Sequence, residues 1–179
     1  MLRLEINLTP ECWDEINEEF VEPKTQVIQL EHSLVSLSKW ESKWHKPFLS
    51  QVAKTREETV DYIRCMTITQ NVNPEIYHRI DDNNIEIVNR YISDSMTATW
   101  FSDNTETKKS SSGEQVTAEI IYYWMTTFNI PFECQKWHLN RLLTLIEVCE
   151  RKSKGPNKMS KKETNSLYRT LNNARRKPR

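Results

Sequence analysis

Cys134 and His138 have the spacing of a metal-binding pair. They are four residues apart, so on one helix both side chains would share a face and could ligate Zn²⁺. A tetrahedral site needs further ligands, and the remaining candidates, Cys149, His45 and Cys65, show no recognisable spacing. Because buried Cys and His side chains usually serve packing, we predict neither a metal site nor a Cys–His nucleophile.

Paired carboxylates are the next candidates for chemistry, as general acid–base groups. Glu18-Glu19, Glu57-Glu58 and Asp81-Asp82 lie in connections or at predicted helix starts, where negative charge suits the helix dipole. The chain has two glycines, Gly113 and Gly155, which leaves no glycine-rich loop to cradle a phosphate. Walker, Rossmann, GxSxG and HExxH signatures are absent. We therefore predict a binding protein with no cofactor and no catalytic residues.

Charge is distributed unevenly along the chain. Residues 151–179 contain eleven basic residues and one acidic residue, whereas residues 1–150 contain fourteen basic and twenty-four acidic residues. The candidate contacts in this basic tail are Lys161, Lys162, Arg175, Arg176 and Lys177. Such a tail can bind an acidic protein surface or nucleic-acid phosphates. Because no interleaved aromatic residues or recognition helix accompany it, we favour a protein partner and keep nucleic acid as the alternative.

The N-terminal residues have the pattern of a small sheet. Apolar residues alternate from Leu2 to Leu8 with the period of a half-buried strand, and a second strand is predicted at Thr25–Leu30. The acidic stretch Pro10–Lys24 connects them, which permits an antiparallel pair. A pair of strands needs helices to cover its apolar face.

Helical periodicity begins at Ser33 and places Trp40 and Trp44 on one face of a helix that should end before Pro47. Three later segments carry helix signals. These are the capping box Thr55–Glu58, the capped start Asn73-Pro74, and the apolar stripe Ile85–Ile92.

Two central helices are predicted in the most apolar part of the chain. The first covers Thr117–Asn129, and the second begins at Pro131 and continues to Cys149. Seven residues are candidates for the central packing and for a partner groove, because large aromatic and Leu side chains dominate both. They are Trp124, Phe128, Phe132, Trp137, Leu139, Leu142 and Ile146.

The predicted fold class is α+β and predominantly α-helical, with an antiparallel strand pair (1–31) packed on a five- or six-helix body (33–152). Residues 102–115 contain no apolar side chain, so we expect a mobile loop there. A globular domain should therefore occupy 1–152, and 153–179 should form a flexible basic tail with one mobile helix.

The expected location is a cytoplasm. No apolar stretch reaches the ~20 residues that span a bilayer, and the first residues lack the pattern of a signal peptide. The four cysteines are widely spaced and are expected to be reduced thiols.

Five stretches of the sequence resemble the tail assembly chaperones of long-tailed bacteriophages. The most specific is WHLNRLLTLI at 137–146. All five follow the family order, and they are Leu30–Phe48, Met96–Ser102, Thr117–Cys149, Lys158–Lys162 and Leu171–Lys177.

The resemblance implies a function in the cytoplasm of the infected host. Such chaperones bind the aggregation-prone tape-measure protein, help tail-tube subunits polymerise around it, and leave before the virion is complete. The implied partners are the tape-measure protein and the tail-tube protein, with self-association as a further option and no membrane. No catalytic residues are implied. The alternative is nucleic-acid binding or head–tail morphogenesis through the basic tail.

Overall fold

The computed structural model describes residues 1–8, 12–14, 19–21, 24–101, 115–153 and 168–169. These residues include four strands, which are β1 (Leu2–Asn7), β2 (Cys12–Asp14), β3 (Glu19–Val21) and β4 (Thr25–Leu30). The predicted pair is confirmed, since β1 and β4 are antiparallel neighbours with Leu4 opposite Ile28. The stretch between them, predicted as a plain connection, contains the antiparallel β2–β3 pair.

Alternation along β1 and β4 produces one apolar face. Leu4, Ile6, Ile28 and Leu30 are all buried, while the intervening residues of both strands are at least partly exposed. The period-2 pattern therefore identified the buried face correctly. Two later helical segments, Pro74–Arg79 and Asp82–Ser93, pack against β1.

The first two helices begin at side-chain caps. Helix α1 (Leu34–Trp44) follows Ser33, and helix α2 (Arg56–Met66) follows Thr55, whose capping box with Glu58 is present as predicted. Helix α1 ends at His45, whose left-handed backbone (φ 51°) turns the chain before Pro47.

Aromatic rings fill the space between α1 and α2. The ring of Phe48 stacks on Tyr62 at 3.9 Å between centroids and meets Trp40 edge-on at 5.1 Å. The Trp40 Nε1–H donates to the backbone carbonyl of Glu58 at 2.9 Å. Trp40 and Trp44 lie on one face of α1, as their spacing predicted, and the structure shows their rings stacked on one another. The rings thereby fix the two helices against each other.

A short 3₁₀ helix (Pro74–Arg79) and helix α3 (Asp82–Ser93) come next. The predicted start at Asn73-Pro74 and the predicted helix around Ile85–Ile92 are confirmed, and the structure adds Asp81 as the capping residue of α3. The Asn84 side chain then donates to the backbone carbonyl of Glu5 at 3.2 Å, which ties α3 to β1.

The last region corrects the sequence interpretation. Helix α4 (Ala118–Thr127) is present as predicted, but the single helix expected after Pro131 is two elements, a 3₁₀ helix (Phe132–Lys136) and helix α5 (Leu139–Ser153). Between them the chain is extended, because His138 bridges to Ser33 and the Leu139 N–H donates to the His32 carbonyl at 2.7 Å.

The chain divides into two compact units, Met1–Ile146 and Glu147–Arg179. Most of the second unit, and the loop predicted at 102–115 apart from Gln115, lie outside the described residues. Among those that are described, every helix falls short of the length and apolar character needed to cross a membrane.

Candidate protein-binding groove

The seven predicted partner residues do not form one cluster. Leu139, Leu142 and Ile146 are buried and belong to the core. Trp124, on α4, and Phe128, which follows its last residue, are half-buried. Phe132 and Trp137 do not take part in the central packing that we expected, because the break before α5 leaves them at the surface, 55% and 37% exposed.

Trp124 forms one wall of an open groove of about 740 Å³. Eight residues line it, and none of them is charged, although 28% of the chain consists of charged residues. They are Leu49, Ser50, Gln51, Val52, Gln115, Val116, Trp124 and Leu143. We call this surface the uncharged groove.

Apolar side chains of the uncharged groove are open to water. Val52 is 72% exposed and Leu49 is 40% exposed. Both follow α1 in a segment without regular structure, and neither belongs to a periodic apolar stripe. Sequence reasoning therefore found Trp124 and missed the opposite wall. A cluster of exposed apolar side chains beside a Trp is typical of a protein-binding surface.

A buried carboxylate holds the two walls together. Glu41 is 8% exposed and accepts two backbone hydrogen bonds of 2.7 Å, one from the Phe48 N–H and one from the Ala118 N–H. Phe48 immediately precedes Leu49, and Ala118 begins the helix that carries Trp124. The groove is thus preformed, which lowers the entropy lost when a partner binds.

A second aromatic surface surrounds the Phe132–Lys136 helix. The Arg141 guanidinium lies 4.5 Å above the Trp137 ring, a cation–π contact that covers part of the indole. Tyr122 lies beside Phe132 with 6.5 Å between ring centroids, and its hydroxyl donates to Gln135 Oε1 at 2.9 Å. Burial raises the pKa of Tyr122. These contacts already occupy part of each ring, so this surface is less available than the uncharged groove.

Cys134 and His138 do not share a helix, which the candidate metal-binding pair would have required. Cys134 lies in the 3₁₀ helix, whereas His138 lies in the extended residues before α5. His138 Nε2 is 3.1 Å from the Tyr91 carbonyl, and its ring meets the His32 ring at 5.1 Å between centroids. Within the described ranges, no three His, Cys, Asp or Glu side chains are grouped closely enough to hold a metal.

The two buried histidines are neutral at physiological pH. Burial, and to a smaller extent the neighbouring His138, lowers the pKa of His32 to about 3. Burial also lowers the pKa of His138, although the Tyr91 carbonyl opposes this. His32 Nδ1 hydrogen-bonds the Tyr62 hydroxyl at 2.6 Å. These rings act as packed polar groups of the core.

The other three candidate metal ligands, His45, Cys65 and Cys149, lie in the part of the chain that the structure describes and do not form a metal site with the two buried histidines. His45 is exposed at the end of α1, and Cys65 and Cys149 are half-buried. Burial raises the pKa of Cys65, which disfavours the reactive thiolate. The tail residues Lys161, Lys162, Arg175, Arg176 and Lys177 lie outside the described residues.

Comparisons of this chain with family models, with curated proteins and with solved structures found no match. The groove is therefore interpreted from its own chemistry. An open, preformed surface without charge and with a half-buried Trp suits an apolar protein segment better than a polar small molecule.

Proposed function

We propose that this chain is a tail assembly chaperone whose uncharged groove binds an apolar helical segment of the tape-measure protein and keeps that protein soluble. The observation that supports this is the absence of charge from a groove that exposes Val52 and Leu49 beside Trp124. An amphipathic helix places apolar side chains at every third or fourth position, and such a row can lie in an apolar groove.

The small number of lining residues favours reversible binding, since eight residues line the groove and a standard stable interface involves about 20–30 on each side. Burial of apolar surface contributes about 25 cal/mol per Å², and interfaces below ~1,200 Å² are typical of transient contacts. A chaperone that leaves before the virion is complete needs a contact of this kind. Trp124 is the expected centre of the affinity, since Trp residues with one buried face are common hot spots.

We propose in addition that the basic tail makes transient contacts with the tail-tube protein. The proposed place of action is the cytoplasm of the infected host. A flexible tail that binds a second protein would raise the local concentration of tube subunits around the held partner. Self-association remains a further option of the proposal.

Co-expression tests the proposal directly. Fragments of the tape-measure protein encoded with this chain should be recovered in the soluble fraction when the chain is present. The double variant Leu49→Asp, Val52→Asp should lose this effect, because binding would then bury two unpaired carboxylates. Ile68→Asp is the matched control, since Ile68 is 49% exposed and lies outside the groove.

Two results would contradict the proposal. One is that no fragment gains solubility from the unaltered chain. The other is that the double variant protects the fragments as well as Ile68→Asp does, which would move the binding surface away from the groove.

A further inference from the structure

Positive charge is concentrated on the first two helices and the segment that joins them, in a domain that is otherwise acidic. Residues 39–64 contain six basic and four acidic residues, whereas the rest of 1–150 contains eight basic and twenty acidic residues. Two of the four acidic residues, Glu41 and Glu58, are buried. Glu41 accepts backbone N–H groups, and Glu58 pairs with Lys46. The net charge that this segment presents to solvent is therefore more positive than the net charge counted over all its residues.

The two helices place four of the six cations, Lys39, Lys43, Arg56 and Arg64, along two adjoining depressions. A groove of about 600 Å³ has Lys43, Arg56 and Arg64 among its lining residues, and a hollow of about 350 Å³ shares Lys43 and Arg64 with it and adds Lys39. We call this surface the basic face. Its apolar lining consists of Val60, Pro74, Tyr77 and Ile80.

Two of the four cations of the basic face are already paired, and two are available to a ligand. The paired ones are Lys43, with Asp61, and Arg56, with Asp82. Lys39 and Arg64 form no ion pair with any residue in the part of the chain that the structure describes. Both flank the hollow, so an incoming anion would meet two cations that need not give up a partner.

We propose that the basic face binds an acidic, amphipathic segment of a partner protein. Carboxylates of that segment pair with Lys39 and Arg64, and its apolar side chains cover Val60 and Ile80. This site is separate from the uncharged groove and does not depend on the function proposed for it.

A protein segment fits this surface better than nucleic acid does. Asp61 and Glu57 also line the groove, so a backbone with a negative charge at every nucleotide would meet them, whereas a peptide can carry its carboxylates only at the positions that face Lys39 and Arg64. The same carboxylates can accept hydrogen bonds from peptide N–H groups. A nucleic acid would in addition leave the apolar lining without a matching surface.

The probe is a fluorescein-labelled peptide of repeated Glu-Leu-Glu-Glu-Leu units, titrated with the full chain and followed by anisotropy. All proteins carry Lys161, Lys162, Arg175, Arg176 and Lys177 as alanine, so that the contribution of the basic tail is reduced and is the same in every variant. In this background Lys39→Glu, Arg64→Glu should weaken binding about tenfold, the equivalent of roughly 1.4 kcal/mol. Lys136→Glu, Arg141→Glu makes the same change in net charge elsewhere and should leave the affinity within about twofold.

Three outcomes would overturn the proposal. Equal weakening by both double variants would mean that net charge, and not this site, attracts the peptide. Binding of an oligothymidine probe that is lost with Lys39→Glu, Arg64→Glu, without binding of the peptide, would assign the face to nucleic acid. Salt-sensitive self-association lost in the same variant, again without peptide binding, would assign it to a second copy of the chain.

Discussion

The carboxylate of Glu41, on α1, accepts a hydrogen bond of 2.7 Å from the backbone N–H of Ala118, the first residue of α4. Thr117, which occupies the N-cap position, makes no side-chain capping bond. A side chain from a distant helix thus supplies the cap that the local sequence lacks, and its charge also suits the helix N-terminus.

Replacement of Glu41 by Gln should destabilise the fold. Both Glu41 oxygens accept backbone N–H groups, and an amide would present its NH₂ group to one of them. We expect the free energy of unfolding to fall by about 1.5–3 kcal/mol, the usual value for a hydrogen bond to a buried charged group. Urea unfolding followed by Trp fluorescence measures the change.

Glu133→Gln is the control for this prediction, because Glu133 is exposed and surface substitutions usually change stability by less than ~0.5 kcal/mol. Equal stability of the Glu41 and Glu133 variants would show that the carboxylate is not needed as a cap.

Local signals predicted most of the secondary structure. Caps at Thr55 and Asn73, and the alternation in β1 and β4, depend on neighbouring residues and could be identified from the sequence. The break at His138 could not, because it results from pairing with Ser33, more than a hundred residues earlier. The Leu-rich pattern around it is equally compatible with one continuous helix.

The candidate groove was predicted only in part for the same reason. Trp124 belongs to a periodic helix and was identified, whereas Val52 lies in an irregular segment whose position depends on Glu41. One signal was available, since Glu41 is a charged residue within the apolar stripe of α1. A carboxylate at such a position needs buried donors, which indicates a long-range cap.

Stability should depend on pH through the histidine pair. His32 has a pKa of about 3 in the folded chain and about 6.5 when unfolded, so the unfolded state binds more protons between these values. Stability is therefore complete above pH ~6.5 and falls as the pH decreases toward 3, by about 1.4 kcal/mol per pH unit for each such histidine. The lowered pKa of His138 acts in the same direction.

Urea unfolding between pH 7 and pH 5 measures this slope. His32→Gln should flatten it, whatever its effect on absolute stability, and His78→Gln is the control because His78 is exposed to water. An unchanged slope in His32→Gln would mean that other groups cause the acid sensitivity.

Among the seven predicted partner residues, substitution of the buried ones should lower the stability of the fold more than substitution of the exposed ones. Leu142 is fully buried, so Leu142→Ala should reduce the free energy of unfolding by about 2–5 kcal/mol through lost burial and a cavity. Phe132 is 55% exposed, and Phe132→Ala should change it by less than ~1 kcal/mol. Similar losses from both variants would contradict the surface position of Phe132.

The basic tail provides the last prediction. Eleven basic residues in 151–179 would release phosphate counterions on binding DNA, so affinity for DNA would fall steeply with salt. Because the favoured partner is a protein, we expect little DNA binding at physiological salt, and we expect the alanine variant of Lys161, Lys162, Arg175, Arg176 and Lys177 to lose binding to the tail-tube protein. Anisotropy of labelled duplex DNA and pull-down of tail-tube protein measure the two effects. Tight DNA binding that persists at physiological salt and weakens strongly in the alanine variant would instead support the nucleic-acid alternative, since the tail then keeps only six of its eleven basic residues and displaces fewer counterions.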